Sequence, residues 1–357
     1  MDYRHKYYKY KSKYLNFLKQ NGGSDVICKQ KVLSFPLKNE SNHDDPLEIQ
    51  TKNFIDSLKN STPIYKLEPG EARKVLNKIQ SDESYKSIVD TEDLDINIEN
   101  ESISITIFRP KNSDDTLNAM MYFHGGGWIL GNKQTHGRLV SELAVGANIA
   151  VVFVNYTPAP EGKYPIQLIQ CYLATKYISM NGEKHNIDAT RLIVAGDSVG
   201  GNMATVVTML DKNSSKPKIS YQILLYPVTD ASMSTESYNT YKDGPWLSRA
   251  GMEWFFDAYE PDKNKRSDIT ISPLNATIDQ LKNLPPGLII TDNNDVLRDE
   301  GELYAQKLTQ AGVKITAIRY YGTTHDFLML DPLKDTPAAV CAKKLIIDHI
   351  KQILNTK

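Results

Sequence analysis

A serine set between closely spaced glycines is the first group in this sequence that could carry out chemistry. Residues 196–200 read GDSVG with Ser198 at the centre, and they follow the strand-like run 191–195. Residues 201–204 read as the start of a helix. A tight strand-to-helix turn excludes side chains at its flanking positions and exposes the serine hydroxyl above the positive end of the helix dipole. The pattern therefore predicts that Ser198 is a nucleophile.

A run of glycines nearer the N-terminus is suited to accept negative charge. Residues 124–128 read HGGGW and follow the strand-like run 120–123. Consecutive glycines expose backbone N–H groups that can converge on one point. A tetrahedral oxyanion needs such donors in addition to the N–H after the nucleophile, here Val199. The alternatives are a flexible turn and a phosphate loop, but no Gly-Lys-Ser/Thr sequence completes a phosphate loop here.

The candidate general base comes from the histidines that follow the serine. Proteins with a nucleophile elbow place serine, acid and histidine in that order along the chain, and after Ser198 only His325 and His349 remain. His349 lies in the amphipathic helical pattern of residues 343–354. His325 lies in a loop after the strand-like run 315–320, and such sheets carry their chemistry at the carboxyl ends of strands. His325 is therefore the predicted base.

The acid that would orient this base is less well defined by the residues alone. The strand-like run 287–291 leads into DNNDVLRDE, which contains Asp292, Asp295 and Asp299. Asp292 stands at the strand end, and Asp299 is placed to cap the helix that starts near Glu300. The mid-loop position of Asp295 favours it only weakly, so all three aspartates remain candidates at this point.

The elements that must position these groups alternate between strands and helices from about residue 96 onward. Continuous apolar runs such as 150–154 are typical of strands buried on both faces, as in a mostly parallel sheet flanked by helices. The predicted strand runs are 102–108, 120–123, 149–154, 192–195, 221–226, 287–291 and 315–320. We therefore expect an α/β catalytic domain over residues 96–357.

Two zones precede this domain. Residues 45–95 show helical apolar spacing and predict a cap over the site or a small separate bundle. Residues 1–44 are rich in Lys and Tyr, and aromatic residues recur within 3–17 at helical spacing. They predict either a short amphipathic helix that contacts a membrane, nucleic acid or partner, or a poorly ordered leader. The opening residues resemble the Tyr/Lys-rich leader of many proteins of mimivirus-like giant viruses.

Composition excludes several classes of function. The chain has 42 basic and 43 acidic side chains, and this near-zero net charge argues against a nucleic-acid partner, which would need a basic face. No apolar run is long enough for a membrane span or a secretory signal, and the three cysteines show no metal-binding spacing. We expect a cytoplasmic protein, in the host cytoplasm or the virion if viral. The candidate groups described above would need no cofactor or metal.

Six segments together resemble the hormone-sensitive-lipase family of α/β-hydrolases. They are HGGGW, GDSVGGN, NYTPAPEGKYP, LLYPVTD, DVLRDEGELYAQKLTQAGV and HDF, and they match in order and spacing across residues 100–330. The resemblance implies an α/β-hydrolase fold with a mostly parallel eight-stranded sheet flanked by helices. It also implies a helical cap built from the N-terminal helices and an insertion at about residues 232–272.

The same resemblance assigns the site residues. It implies that Asp295 is the acid and His325 the base of a Ser-His-Asp triad. The oxyanion hole implied by the HGGG segment consists of Gly125, Gly126, Gly127 and Val199. The implied activity is the hydrolysis of small-molecule carboxylic esters with short to medium acyl chains. Because many relatives pair, a homodimer is a further expectation. The alternative is a non-catalytic small-molecule receptor, because the gibberellin receptor resembles this family but lacks the catalytic histidine.

Four positions depart from the family pattern without removing a catalytic atom. The family usually has Arg at Thr157, Ala at Val199, Pro at Val296 and Gly at Asp326. Val199 would contribute only its backbone N–H, so its larger side chain is expected to narrow the site. Asp326 directly follows the predicted base, and we expect it to alter the environment of His325.

Overall fold

The computed structural model describes residues 46–212 and 219–355, and within them eight strands form one sheet. The strands are β1 (Val89–Ile98), β2 (Glu101–Pro110), β3 (Leu117–Phe123), β4 (Ala150–Asn155), β5 (Ile187–Asp197), β6 (Ile219–Leu225), β7 (Gly287–Asn294) and β8 (Ile315–Thr324). Their order across the sheet is β1-β2-β4-β3-β5-β6-β7-β8. The predicted leader, residues 1–44, lies outside the described residues.

The sheet is parallel except at one edge. All pairings from β4 through β3, β5, β6 and β7 to β8 are parallel, whereas β2 pairs antiparallel with β4 and β1 antiparallel with β2. Glu99 and Asn100, with φ of 50° and 64°, form the two-residue turn between β1 and β2. The predicted mostly parallel, eight-stranded α/β-hydrolase sheet is confirmed.

Helices cover the sheet and connect its parallel strands. In chain order they are α1 (Ile49–Ser57), α2 (Pro69–Ile79), α3 (Gly137–Ala147), α4 (Ile166–Asn181), α5 (Val199–Asp211), α6 (Glu236–Thr240), α7 (Arg249–Tyr259), α8 (Ile278–Leu281), α9 (Arg298–Gln310) and α10 (Pro337–Asn355). Helix α3 packs beside α10 and α4 beside α5. Strand β7 is buried along its whole length, which requires cover on both faces. No helix in the described ranges could span a membrane.

The helical interpretation of residues 45–95 is correct only for part of that range. Helices α1 and α2 lie within it, but residues from Val89 onward form the edge strand β1. Between β6 and β7, where the insertion at 232–272 was expected, the chain forms α6 and α7. The two segments meet at Phe54 and Trp246, whose ring centroids lie 5.5 Å apart.

The carboxyl ends of four neighbouring strands bring the predicted site residues to one edge of the sheet. Strand β5 ends at Asp197, immediately before Ser198, and β7 ends at Asn294, immediately before Asp295. Strand β8 ends at Thr324, immediately before His325. Because β5, β6, β7 and β8 are adjacent and parallel, residues separated by more than a hundred positions in sequence converge here.

Candidate active site

The backbone at Ser198 has the strained geometry of a nucleophile elbow. Its φ of 55° and ψ of −121° lie in a region that L-residues rarely adopt. A Cβ added to Gly200 would lie 1.9 Å from the carbonyl oxygen of Phe123, and one added to Gly196 would lie 2.3 Å from the Gly200 carbonyl. The glycines therefore allow α5 to start directly against strand β3. The Ser198 N–H donates to Leu225 O at 2.8 Å, which fixes the turn to the end of β6.

The structure brings the serine, the histidine and one aspartate into a hydrogen-bonded row. His325 Nε2 lies 2.9 Å from Ser198 Oγ, and His325 Nδ1 lies 2.7 Å from Asp295 Oδ2. The other Asp295 oxygen accepts the Leu297 N–H at 3.0 Å, which holds the carboxylate in place. The exposed fractions of Ser198, His325 and Asp295 are 4%, 2% and 1%. Such a row can transfer a proton from the serine to the imidazole.

The two other candidate aspartates have different surroundings. Asp299 accepts the Ser237 N–H at 2.8 Å at the start of α6 and forms an ion pair with Arg298 at 2.9 Å. Asp292 is buried, its oxygens accept no hydrogen bond, and Oδ2 lies 4.0 Å from His325 Nδ1. Burial, and then repulsion by Asp295, raise the pKa of Asp292 well above its usual value. Burial and Asp295 therefore favour the protonated form of Asp292, and of the three candidate aspartates only Asp295 contacts the histidine closely.

The charge on His325 is set by opposing effects. Burial disfavours the imidazolium, but the carboxylates of Asp295 and Asp326 outweigh burial and raise the pKa of His325 to about 9. The ring of Tyr226, the residue after β6, and the imidazole form a T-shaped pair with centroids 4.9 Å apart. The base is therefore held between carboxylates on two sides and an aromatic ring on a third.

The glycine-rich loop lies directly against the elbow. Gly126 and Gly127 have φ of 96° and 63°, which glycine adopts readily. Among the described residues, no hydrogen bond uses the N–H of Gly126, Gly127 or Val199. Gly125 differs from the expectation, because its N–H donates to Asp197 Oδ1 at 3.1 Å. The structure thus leaves three of the four predicted donors free for an oxyanion.

A buried network around Asp197 holds the glycine loop, and sequence reasoning did not identify it. Asp197 Oδ1 also accepts the Tyr122 hydroxyl at 2.8 Å, and Oδ2 lies 3.2 Å from His136 Nε2. Burial opposes the charge of Asp197, but His136 and then Tyr122 outweigh it and lower the pKa of the carboxyl. The GDSVG motif places Asp197 next to the nucleophile, but no spacing in the sequence connects it to His136.

Trp246 and Asp326 form a second contact that the sequence did not reveal in full. Trp246, in the loop between α6 and α7, donates its Nε1–H to Asp326 Oδ2 at 2.8 Å. Asp326 was expected to affect His325 because the two are adjacent, and its Oδ1 lies 3.5 Å from His325 Nε2. No pattern in the sequence singles out Trp246. Its distance of 80 positions from Asp326 gave no signal of this contact.

One group of side chains has the composition of a metal site. Asp292, Asp295 and His325 place one potential ligand atom each within 4.8 Å of one another. The 2.7 Å hydrogen bond between His325 and Asp295 already engages two of these residues. A metal ion would have to replace that hydrogen bond, so the observed arrangement fits a proton-transfer role better than metal ligation.

Comparison with known proteins identifies relatives over nearly the whole chain. Residues 120–329 match the sequence profile of a family described as alpha/beta hydrolase fold. The chain is 47% identical to an α/β-hydrolase of Acanthamoeba polyphaga mimivirus over 354 residues, which are 99% of this chain and 98% of the relative. It is 33% identical to an esterase of Gibberella moniliformis over 312 residues, 87% of this chain and 97% of the relative. The expected giant-virus relationship is thereby confirmed.

Solved structures of esterases also resemble this chain in fold. A thermostable esterase from Pseudomonas putida superimposes with a TM-score of 0.85 at 41% identity, covering 87% of this chain and 99% of the esterase. The profile match spans more than half of this chain and contains the elbow, the glycine loop and the histidine loop. The chain therefore belongs to the hormone-sensitive-lipase-like family of α/β-hydrolases.

Proposed function

We propose that this protein hydrolyses carboxylic esters through an acyl-enzyme intermediate on Ser198. The relatives named as esterases support the coarser conclusion that the chain is a serine ester hydrolase. The observation that carries the mechanism is the position of His325, which bridges Ser198 Oγ at 2.9 Å and Asp295 Oδ2 at 2.7 Å. The strained elbow and the three free N–H groups beside it complete the set of groups that acyl transfer needs.

Acylation follows from these positions. His325 Nε2 removes the proton from Ser198 Oγ as this oxygen attacks the ester carbonyl carbon. Asp295 keeps Nδ1 protonated, so that Nε2 is the nitrogen available to accept, and it stabilises the imidazolium that forms. The carbonyl oxygen becomes an oxyanion, which the N–H groups of Gly126, Gly127 and Val199 would bind. The imidazolium then gives its proton to the leaving alkoxide, and the alcohol departs.

Deacylation repeats the sequence with water. His325 accepts a proton from a water molecule whose oxygen attacks the acyl carbon, and the second tetrahedral intermediate uses the same oxyanion donors. Collapse breaks the bond to Ser198 Oγ, which recovers a proton from His325 as the carboxylic acid leaves. The chain's own residues suffice for every proton transfer, so the proposal includes no cofactor.

The closed surroundings of the serine support a preference for short- to medium-chain acyl groups. A Cβ on Gly127 would lie 1.9 Å from the ring of Phe255, so this α7 aromatic packs directly on the glycine loop. Trp128 is buried and stacks on Tyr259 with centroids 3.9 Å apart. We propose that helices α1 and α2 and the 232–272 insertion act as a cap that limits the length of the acyl chain.

The test is hydrolysis of p-nitrophenyl esters from acetate to palmitate by the wild-type protein and by Ser198→Ala. Loss of a triad serine is expected to lower turnover on the order of 10⁶-fold. Ser141→Ala is a matched control, because Ser141 is also a buried serine but lies in α3, outside the site. Retained turnover in Ser198→Ala would contradict the mechanism, and an optimum at palmitate would contradict the chain-length proposal.

The receptor alternative makes a different prediction for the same proteins. A receptor would bind a small molecule tightly and release no product. His325 stands in hydrogen-bonding position here, whereas the receptor that resembles this family lacks the histidine. Saturable binding by folded wild-type protein, without turnover of any ester in the series, would favour the receptor over the enzyme.

A further inference from the structure

The residue after the proposed base carries a buried carboxylate with one unused oxygen. Asp326 has φ of 66°, so the chain turns sharply after His325 and directs the Asp326 side chain back toward the site. Its Oδ2 accepts the Trp246 Nε1–H at 2.8 Å. Its Oδ1 receives no hydrogen bond and lies 3.5 Å from His325 Nε2. A buried carboxylate oxygen without a donor is costly unless a positive charge appears next to it.

We propose that Asp326, oriented by Trp246, is a positioning residue that acts through His325 by stabilising the imidazolium formed in each tetrahedral intermediate. The inference rests on the proposed function, because only a histidine that cycles between neutral and charged forms gives Asp326 this role. Asp295 supports Nδ1, and Asp326 supports the Nε2 side, from which the proton is passed to the leaving group. The imidazolium would thus be flanked by a carboxylate at each nitrogen.

The placement of the other charged groups distinguishes Asp326 from them. On the β7 side, Asp292 and Asp295 both approach Nδ1, at 4.0 and 2.7 Å. Asp197 at the end of β5 acts on His325 at longer range, and Tyr226 after β6 contacts the imidazole through its aromatic ring. Among the described residues, Asp326 is thus the acid placed at Nε2.

Trp246 connects this carboxylate to the proposed cap. The Pro245 carbonyl next to it accepts the Thr324 hydroxyl at 2.8 Å, and the Trp246 ring packs on Phe54 of α1. The loop between α6 and α7 is therefore attached to the histidine loop at two neighbouring points. Because the indole holds Oδ2, the other oxygen stays directed at the imidazole. A change in the position of Trp246 would therefore alter the support that His325 receives.

The experiment compares pH profiles of kcat and kcat/KM on p-nitrophenyl acetate for the wild type and Asp326→Asn. Asparagine tolerates the positive φ and still accepts from Trp246, so the change removes mainly the charge. A carboxylate within about 4–6 Å of a histidine favours the imidazolium and raises the histidine's pKa by about one unit or more. Removing the charge of Asp326 should therefore move the acid limb of the profile down by about one pH unit. We also expect kcat on the alkaline plateau to fall while KM changes little.

Two further variants separate this role from a structural one. Asp331→Asn is the matched control, because Asp331 lies five residues farther along and pairs with Arg138 at 2.7 Å, away from the imidazole. The acid limb of its pH profile is expected to coincide with that of the wild type. Trp246→Phe keeps an aromatic ring but loses the donor. It should lower kcat in the wild-type background and have no further effect in Asp326→Asn, because it acts through that carboxylate.

The outcomes are distinguishable from failure of the proposed function. If the wild type is active and Asp326→Asn has the same acid limb, the inference is overturned and the proposed esterase function stands. Equal effects of Trp246→Phe in both backgrounds would overturn the coupling between the two residues. Wild-type protein without Ser198-dependent turnover would overturn both the function and the inference. Asp326→Gly, which suits the same φ, serves as a second variant if the asparagine protein does not fold.

Discussion

Gly200→Ala is a sharp test of how closely the elbow and the glycine loop approach each other. The added methyl group would lie 1.9 Å from the Phe123 carbonyl oxygen, 2.6 Å from its carbon and 2.9 Å from the His124 carbonyl carbon. All three atoms belong to the backbone at the end of β3, so no side-chain rotation can make room. Ordinary contact begins near 3.4 Å, and helix α5 must therefore recede from the loop by about 1.5 Å.

Such a displacement acts on both activity and stability. A shift of about 1 Å in a catalytic group can cost about 10²-fold in rate, so kcat is expected to fall by at least about that factor. Overpacking in a close-packed core typically costs about 1–3 kcal/mol, and the free energy of unfolding should fall accordingly. The loss of activity should appear mainly in kcat and less in KM, because the change separates Ser198 and the Val199 N–H from the glycine loop.

The assay combines steady-state turnover of a short p-nitrophenyl ester with urea unfolding of the same preparations. Gly251→Ala in α7 is the matched control, because its added carbon would meet its nearest neighbour, Ser248 Oγ, at an ordinary 3.4 Å. The control should keep wild-type activity and stability. Gly200→Ala with wild-type kcat and stability would refute the close approach of α5 to β3, and with it the derived oxyanion geometry.

Three further predictions concern the buried charges. His325 must be neutral to accept the serine proton, and its pKa is raised to about 9. The kcat/KM of the wild type should therefore rise with pH through that value. A profile that is already flat from pH 6 would contradict this. Asp292→Asn should change kcat by less than about tenfold, the equivalent of one pKa unit, because burial and Asp295 favour the uncharged form of Asp292, which asparagine resembles. A larger loss in steady-state turnover would contradict this. Asp197→Asn should lower the free energy of unfolding by about 2 kcal/mol in urea titrations, because Tyr122 and Gly125 lose a charged acceptor. It should also lower kcat and change KM less. An unchanged free energy of unfolding would contradict that role.

Ser198 and His325 could be predicted as nucleophile and base from the sequence because local rules point to them. Ser198 needs a tight strand-to-helix turn, which glycines at 196 and 200 specify, and His325 was one of only two histidines that followed. The acid required the resemblance, since Asp292 and Asp295 lie three residues apart with similar neighbours. Only the fold shows that one reaches Nδ1 at 2.7 Å while the other remains at 4.0 Å.

Strand β1 was not predicted because the first half of its sequence lacks the apolar pattern of a strand, and only residues 94–98 alternate between apolar and polar side chains. Residues 89–98 read VDTEDLDINI, with four acidic side chains that have low strand propensity, and all four are exposed. The topology places β1 at the edge of the sheet, where charges discourage pairing with other chains. Its pairing with β2 comes from the turn at Glu99 and Asn100, and neither residue is a glycine that would have indicated a hairpin.

The contacts of Asp197 and Trp246 could not be predicted from the sequence for a different reason. Each joins elements that are distant in sequence, 61 positions for Asp197 and His136 and 80 for Trp246 and Asp326. Neither pair follows a helical or strand period, so no local pattern connects its members. Such pairs depend on how α3 and the 232–272 segment lie against the sheet, which the order of elements alone does not define.

The most direct test of the central claim is covalent labelling of the nucleophile by a fluorophosphonate, read by intact mass and by mapping of the modified peptide. The reagent transfers its phosphonyl group to an activated serine and releases fluoride. The account predicts one adduct per chain on Ser198, no adduct in Ser198→Ala, and much slower labelling in His325→Asn, which lacks the base. An unlabelled wild-type protein that is folded, or an adduct on another residue, would contradict the assignment of Ser198 as the nucleophile.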